Sequence, residues 1–354
     1  MKKRVFTLLI ISMFVMFLTG CLATTLQAST NPTTLDPTTD ATITTASTTS
    51  IPITTSTTLI PTTVATTVST MPPVVDFDYL GETPPTNNDI RFDPSGFIAT
   101  STWFWHSSPV FSPDGNEMYW SKYLVETNHI QIWYTRKVDG QWTTAIKLEI
   151  PGINGDTNCP VFVPGDEGLY FINYYNGSFV LYRATRTVSG WGNPVIVNVP
   201  IPQGLSLDWS FSISDNKNLY LSLSSTDGSG VSQIYLSIYN DGVYEVPILI
   251  ENLGTGLYGN FDPAIAPDES FLIFVSRRNN GFGYHDLYIC FRMGVGVFTE
   301  PISMGTQINT TSEDGRPHIS PDGLYLFFTT EKAGDKGYNS YWIKLDQLDV
   351  LTEQ

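Results

Sequence analysis

The sequence predicts an all-β protein, a five-bladed β-propeller of four-stranded blades closed by an N-terminal strand. One phrase carries most of this reading: a short apolar strand, a turn on Pro-Asp or a near variant, then a strand ending in aromatics. Its copies are PVFSPDGNEMYW from Pro109, PVFVPGDEGLYF from Pro160, SFSISDNKNLYL from Ser210, PAIAPDESFLIF from Pro263 and PHISPDGLYLFF from Pro317. Turn positions Pro113, Pro164, Ser214, Pro267 and Pro321 are 51, 50, 53 and 54 residues apart. A fixed period of this size marks a repeat architecture whose units bury their faces against one another. No helical period interrupts the repeats.

Each copy opens on an apolar strand such as Val110-Phe111, and the Pro-Asp turn reverses it into a second. Proline fixes φ there, and Asp or Gly supplies the tight reversal. A third strand follows with an aromatic at a fixed place: Trp133, Tyr182, Tyr235, Tyr288 and Trp342. A fourth follows a Gly-containing turn, with Trp142, Trp191, Tyr244 and Phe298 in register. Four short strands per unit describe a propeller blade. The fifth copy reaches only Tyr341-Trp342-Ile343-Lys344-Leu345, while a strand-like stretch, residues 89–98, precedes the first copy without a blade of its own. That stretch is expected to become the outer strand of the last blade and cover its open edge. A sixth blade would require a degenerate copy in the stretch after Gly81.

These residues resemble the Pro-Asp subset of WD-type propeller repeats, as in the propeller of TolB and many exported bacterial proteins. The likeness runs from Tyr79 to about Leu348 and is carried by Tyr79-Leu80-Gly81 with Pro84-Pro85, Ser112-Pro113-Asp114-Gly115, Ala266-Pro267-Asp268-Glu269-Ser270 and Asp286-Leu287-Tyr288-Ile289. Blades two and three depart from it, with Pro-Gly-Asp at 164–166 and Ser-Asp-Asn at 214–216. The resemblance implies a fold and a docking role in general; it implies no single chemistry.

Residues 1–20 read as an export signal: Lys2, Lys3 and Arg4, then an apolar stretch from Val5 to Leu18 that is too short for a mature span. Leu18-Thr19-Gly20-Cys21 resembles a bacterial lipobox, which implies lipidation of Cys21. Residues 21–75 are dominated by Thr, Ser, Pro and Ala and cannot form a core, so they are expected to be a disordered tether. The propeller then occupies 76–354, outside the cytoplasm and lipid-anchored to a bacterial membrane at the cell surface or in the periplasm. The 18 basic residues less the three at positions 2–4 leave 15 against 34 acidic ones, a net −19. Nucleic acid is thereby a poor partner. Cys159 and Cys290 lie on different strands of different repeats, so no disulfide is expected between them; the cysteines give no zinc pattern. No metal or cofactor is implied.

In a propeller, the loops entering the innermost strands converge on the central channel. Aligned there, the repeats offer Trp105 and Trp209 as flat apolar surfaces and His106, Asp156, Asn158, Asp208, Asn260, Asp262, Asp314 and Arg316 as polar groups. The expected function is a non-catalytic, monomeric scaffold that binds a protein, peptide or glycan at this mouth. The alternative is a glycoside hydrolase using carboxylates from Asp156, Asp208, Asp262 and Glu313. Three carboxylates around an open pocket would favour hydrolysis; a channel plugged by aromatics or by Arg316 would favour docking.

Overall fold

The structure, a computed structural model, describes residues 77–86, 88–94, 106–188, 190–254, 259–279, 281–335 and 337–352. The expectations for the export signal, Cys21 and the tether, and for Trp105, lie outside the described residues.

The repeats form five antiparallel blades. The N-terminal strand is β1 (Ile90–Arg91). Blade 1 holds β2 (Val110–Phe111), β3 (Glu117–Leu124), β4 (His129–Val138), β5 (Gln141–Trp142) and β6 (Ile146–Lys147). Blade 2 holds β7 (Asp156–Phe162), β8 (Gly168–Tyr175), β9 (Ser178–Thr187), β10 (Gly190–Trp191) and β11 (Val195–Ile196). Blade 3 holds β12 (Leu205–Ile213), β13 (Leu219–Ser225), β14 (Ser232–Ser237) and β17 (Ile248–Leu249), with a separate ladder of β15 (Tyr239–Asn240) and β16 (Val243–Tyr244). Blade 4 holds β18 (Asn260–Ile265), β19 (Phe271–Ser276), β20 (Asp286–Gly294), β21 (Val297–Phe298) and β22 (Ile302–Ser303), and blade 5 holds β23 (Gly315–Ile319), β24 (Tyr325–Thr330) and β25 (Asn339–Lys344).

The predicted fourth strand is broken in two. In blades 1, 2 and 4 its first half carries the aromatic (Trp142, Trp191, Phe298) and its second half is an apolar-led pair. In blades 2, 3 and 4 a proline stands between the halves or just before the second: Pro194, Pro247 and Pro301. Lacking an N–H, proline cannot extend the ladder. The aromatic of each third strand faces an apolar residue of the second, as in Trp133↔Trp120, Phe171↔Tyr182, Phe274↔Tyr288 and Phe327↔Trp342. Cross-strand pairing of this kind is the unit that stabilises a sheet.

Five buried clusters mark five seams between blades. Tyr119 and Ile132 of blade 1 pack with Leu169 and Phe171 of blade 2. Ile172 of blade 2 meets Leu221 of blade 3, Leu236 of blade 3 meets Leu272 of blade 4, and Ile289 of blade 4 meets Phe328 of blade 5. The last cluster joins Phe327 and Trp342 of blade 5 to Phe111 and Trp120 of blade 1, with Tyr79 and Phe92 between them. The ring is therefore closed.

The N-terminal segment completes the closure. β1 pairs with β25 through Ile90↔Trp342 and Arg91↔Tyr341, and the Phe92 N–H donates to the Ser340 carbonyl at 2.8 Å. Phe92 is fully buried, with ring centroids 5.2 Å from Phe327 and 5.1 Å from Trp342. The Tyr79 hydroxyl donates to Asp322 of blade 5 at 2.6 Å, and Lys137 of blade 1 pairs with Asp78. One ribbon thus ties the last blade to the first.

The inner turns correct one detail of the sequence alignment. Gly115, Asp166, Lys217, Glu269 and Gly323 each donate an N–H to the carbonyl three residues earlier. On this frame Asp215, not Ser214, takes the place of Pro113, Pro164, Pro267 and Pro321. The third repeat is shifted by one residue. At the fourth turn position Gly115 and Gly323 adopt positive φ as only glycine does freely, whereas Lys217 (φ 65) and Glu269 (φ 63) do so against a side-chain penalty.

Candidate functional site

Four inner strands carry a register shift at the same level: between Asn158 and Val161, Leu207 and Phe211, Phe261 and Ala264, and Gly315 and His318. A bulge leaves its extra residue out of the ladder and re-aims that side chain. In three blades the residue before a proline takes positive φ without being glycine: Cys159 (53°), Asp262 (49°) and Arg316 (52°). Such a backbone costs on the order of 1–2 kcal/mol per residue and persists only where its surroundings fix it. Ser108, Cys159, Ser210, Asp262 and Arg316, one per blade, consequently line a single level of a central channel of about 110 Å³.

The strongest interaction at this level crosses a seam. Arg316 Nη1 of blade 5 donates to both carboxylate oxygens of Asp262 in blade 4, at 2.8 and 2.6 Å. The Ser108 hydroxyl donates to the Arg316 carbonyl at 2.5 Å, and the Asp262 N–H donates to Ser210 Oγ at 3.1 Å. Cys159 Sγ lies 3.4 Å from the Phe211 carbonyl, and burial pushes the thiol up to about 12. It is a neutral thiol at physiological pH, unsuited to attack as a thiolate.

Further along the channel stands His318. Burial pushes its imidazole down to about 4, so the ring is neutral. Among the described residues neither ring nitrogen meets a partner. The turn-side mouth is lined by Pro113, Pro164, Pro267 and Pro321 with Asp215 at the fifth position. Burial, reinforced by Asp268, raises the Asp215 carboxyl above its ordinary value.

Beside the ion pair, the connection from β19 to β20 meets the entry loop of blade 5. His285 and Glu313 form a parallel bridge, with His285 Nδ1 3.8 Å from Glu313 Oε1. The Tyr338 hydroxyl donates to Glu313 at 3.1 Å. Burial pushes His285 down to about 4, although Asp262 acts in the opposite direction. Its contact with Glu313 is therefore not an ion pair at neutral pH. Phe261 and Tyr284 hold the imidazole edge-on, with ring centroids at 5.1 and 4.6 Å.

The predicted mouth residues separate into two sets. Asn158, Trp209, Asp262 and Arg316 line the channel, with Asn158 Nδ2 donating to the Trp209 carbonyl at 3.2 Å. The Trp209 ring packs against Tyr174 and Phe179, at 5.5 and 4.6 Å between centroids. The other described candidates hold structure together and do not line it. His106 Nε2 lies 2.9 Å from the Tyr338 carbonyl of blade 5. Asp156 sits 2.6 Å from His129 Nδ1 and accepts the Ile130 N–H. Asp208 accepts the hydroxyls of Ser224 and Ser232, and Asn260 donates to Gln233 and to the Gly254 carbonyl. Asp314 is fully buried; burial raises its carboxyl to about 6 against hydrogen bonds from Thr330 and Thr310.

On the corrected frame His106, Thr157, Asp208, Asn260 and Asp314 occupy one repeat position, devoted to hydrogen bonds around the strand entries. The next position gives the channel Ser107, Asn158 and Trp209, and the one after it gives a lining residue from every blade. Sequence reasoning missed Ser210, His285 and Tyr338 and placed no site role on Cys159. The signal available was the small or polar residue before Pro109, Pro160, Pro263 and Pro317.

No family model matches this chain, and no curated protein matches it. Solved structures similar to it include TolB from Acinetobacter baumannii, at 17% identity and TM-score 0.42, covering 69% of this chain and 55% of that one. The catalytic domain of a GH62 α-L-arabinofuranosidase from Coprinopsis cinerea matches at 13% identity and TM-score 0.44, covering 70% of this chain and 94% of that one. A GH43_12 protein from a capybara gut metagenome matches at 14% and 0.44, covering 76% and 55%. The match thus spans about half of the TolB chain. At these scores no function transfers, and the fold rests on the strand pairing described above.

Proposed function

We propose that the chain is an extracytoplasmic bacterial lipoprotein, anchored through acylated Cys21, whose Pro-Asp propeller is a non-catalytic scaffold for a protein, peptide or glycan at the channel mouth. The Arg316–Asp262 pair carries this reading. It stands in the channel and engages both oxygens of the carboxylate that a hydrolase would need free. Asp156 is engaged by His129 and the Ile130 N–H, and Asp208 by two serine hydroxyls. What faces a ligand is a set of fixed hydrogen-bonding groups, Asn158, Ser210 and the ion pair, beside the indole of Trp209 and the neutral imidazole of His318. That mixture suits directional recognition in a partly apolar recess.

One group favours the glycosidase alternative: Glu313, a carboxylate beside the channel with its Oε1 3.8 Å from His285 Nδ1. A two-carboxylate mechanism requires one group to protonate the leaving oxygen and the other to attack or to activate water. A screen of immobilised glycans and peptides with the chain lacking residues 1–20 and carrying Cys21→Ser separates the readings. Saturable capture without product release, weakened by Asp262→Ala, supports the scaffold. Release of reducing sugar that Glu313→Gln abolishes would replace it with the enzyme.

A further inference from the structure

The seam between blades 2 and 3 is open on the outside of the ring. Two adjoining cavities, of about 520 and 390 Å³, share Ile196, Val197 and Asn198 and form one groove. Its blade 3 wall is the hairpin of β15 and β16, where β15 continues the third strand: Tyr239↔Tyr244 repeats Lys137↔Trp142, and the Glu245 N–H donates to the Ile238 carbonyl as the Thr143 N–H does to that of Arg136. This hairpin stands across the cavity from β11, which among the described residues pairs with β9 alone.

The groove has a chemical polarity. One end is walled by Phe179, Leu181, Leu205, Leu207 and Leu221. The other holds Tyr170, Tyr239 and Tyr244 with Arg183, Lys217 and Asp166, so its charged lining is two cations against one anion. Asp166 is fully committed. Although burial disfavours its charge, hydrogen bonds from Arg183, the Gly168 N–H and Tyr170 hold its carboxyl below the usual range. Lys217 Nζ lies 3.8 Å from Asp166, longer than a hydrogen bond, and its side chain is 38% exposed. On the rim, Val195, Ile196 and Val243 are 59%, 61% and 64% exposed.

Lys217 also occupies a position that its own backbone disfavours. Of the two non-glycine residues at the positive-φ turn position, Glu269 is repaid by Ser214, Asn218 and Arg292. Lys217 gains only the distant carboxylate and a place 5.8 Å from the Tyr239 ring centroid. Strain that the fold does not need is a reason to look for a ligand.

We infer that this groove binds an extended partner segment alternating aliphatic and acidic residues, added along the free edge of β11. Its carboxylates reach Lys217 and the outer side of the Arg183–Asp166 pair. Its aliphatic side chains cover Val195, Ile196 and Val243, and its backbone uses the open strand edge, the geometry of β-strand addition. Charge complementarity selects the occupant: the chain as a whole carries a net charge of −16, yet the groove lining is cationic. The inference concerns the rim of the ring and does not depend on the channel reading.

The test is fluorescence anisotropy of the chain lacking residues 1–20 and carrying Cys21→Ser, with a labelled heptapeptide that alternates valine with glutamate. Saturable binding is expected, weakened about tenfold or more by Lys217→Gly, the loss of one charged partner. Because glycine accepts this φ freely, Lys217→Gly is expected to leave the thermal midpoint unchanged or raised, which separates recognition from folding. Ile196→Asp should weaken binding as well, while Asp262→Ala in the channel leaves it unchanged. Equal binding by Lys217→Gly, equal binding of a valine–lysine heptapeptide, absence of binding at millimolar peptide, or binding to phosphatidylglycerol vesicles in place of the peptide would each overturn the inference.

Discussion

The Asp262–Arg316 pair allows a quantitative test because its geometry isolates charge from backbone. Asp262 sits at φ 49, a conformation that asparagine tolerates as well as aspartate, so Asp262→Asn removes the charge with little new strain. Removing one partner of a buried pair costs about 3–5 kcal/mol when the survivor is fully desolvated. Here the Asp262 side chain is 6% exposed but that of Arg316 is 27% exposed to the channel, so screening reduces the expected loss to roughly 2 kcal/mol. Arg316→Gln leaves the more deeply buried carboxylate behind and should cost about 3 kcal/mol. The double variant should cost less than the sum, with a coupling of about 1–2 kcal/mol. Urea unfolding followed by tryptophan fluorescence on all four proteins supplies the cycle. Additivity within about 0.5 kcal/mol would refute a pair that holds blades 4 and 5 together across the channel.

Other consequences follow from packing and titration. Phe92→Ala should destabilise by about 3–5 kcal/mol because it empties a fully buried site between the first and last blades, whereas Ile90→Ala, on an exposed side chain, should cost under about 1 kcal/mol; equal effects in urea unfolding would count against the closing ribbon. His318 is neutral when folded, with its value lowered from 6.5 to about 4. Its contribution to stability is therefore complete above pH 6.5 and lost as pH falls toward 4. His318→Leu should gain stability relative to the natural chain across that interval, by up to about 3 kcal/mol at its acid end, and parallel pH profiles would contradict this. Glu269→Gly relieves a positive φ yet loses Ser214, Asn218 and Arg292, and should be net destabilising by about 2 kcal/mol; a raised thermal midpoint would show that the strain outweighs those bonds.

The ring was legible because its information is periodic. Strand aromatics such as Tyr182 and Tyr288 recur at matching places and find matching neighbours in each blade. The orphan stretch before the first repeat predicted its own destination through the missing fourth strand of the last. The site was less legible because it depends on bulges, which shift side chains by one residue without leaving a composition signal. Ser214 and Asp215 show the difficulty: only the turn hydrogen bonds reveal which of them occupies the proline position. His106, Asn260 and Asp314 have the chemistry of ligand groups, yet their hydrogen bonds are spent on neighbouring strands and loops. Alternation alone cannot tell such a residue from one turned into the channel. His285 was hidden for another reason, since it arrives from the preceding blade.

The central claim is a ring sealed by residues from before its first repeat. Amide hydrogen exchange tests it most directly, by comparing the chain lacking residues 1–20 with one lacking residues 1–92, both carrying Cys21→Ser where that position remains. Protection of the Phe92 amide in the longer chain, and faster exchange along Asn339–Lys344 once residues through 92 are gone, is the predicted result. Unchanged protection of Asn339–Lys344 in the shorter chain would contradict the closure, and with it the channel on which the proposed function depends.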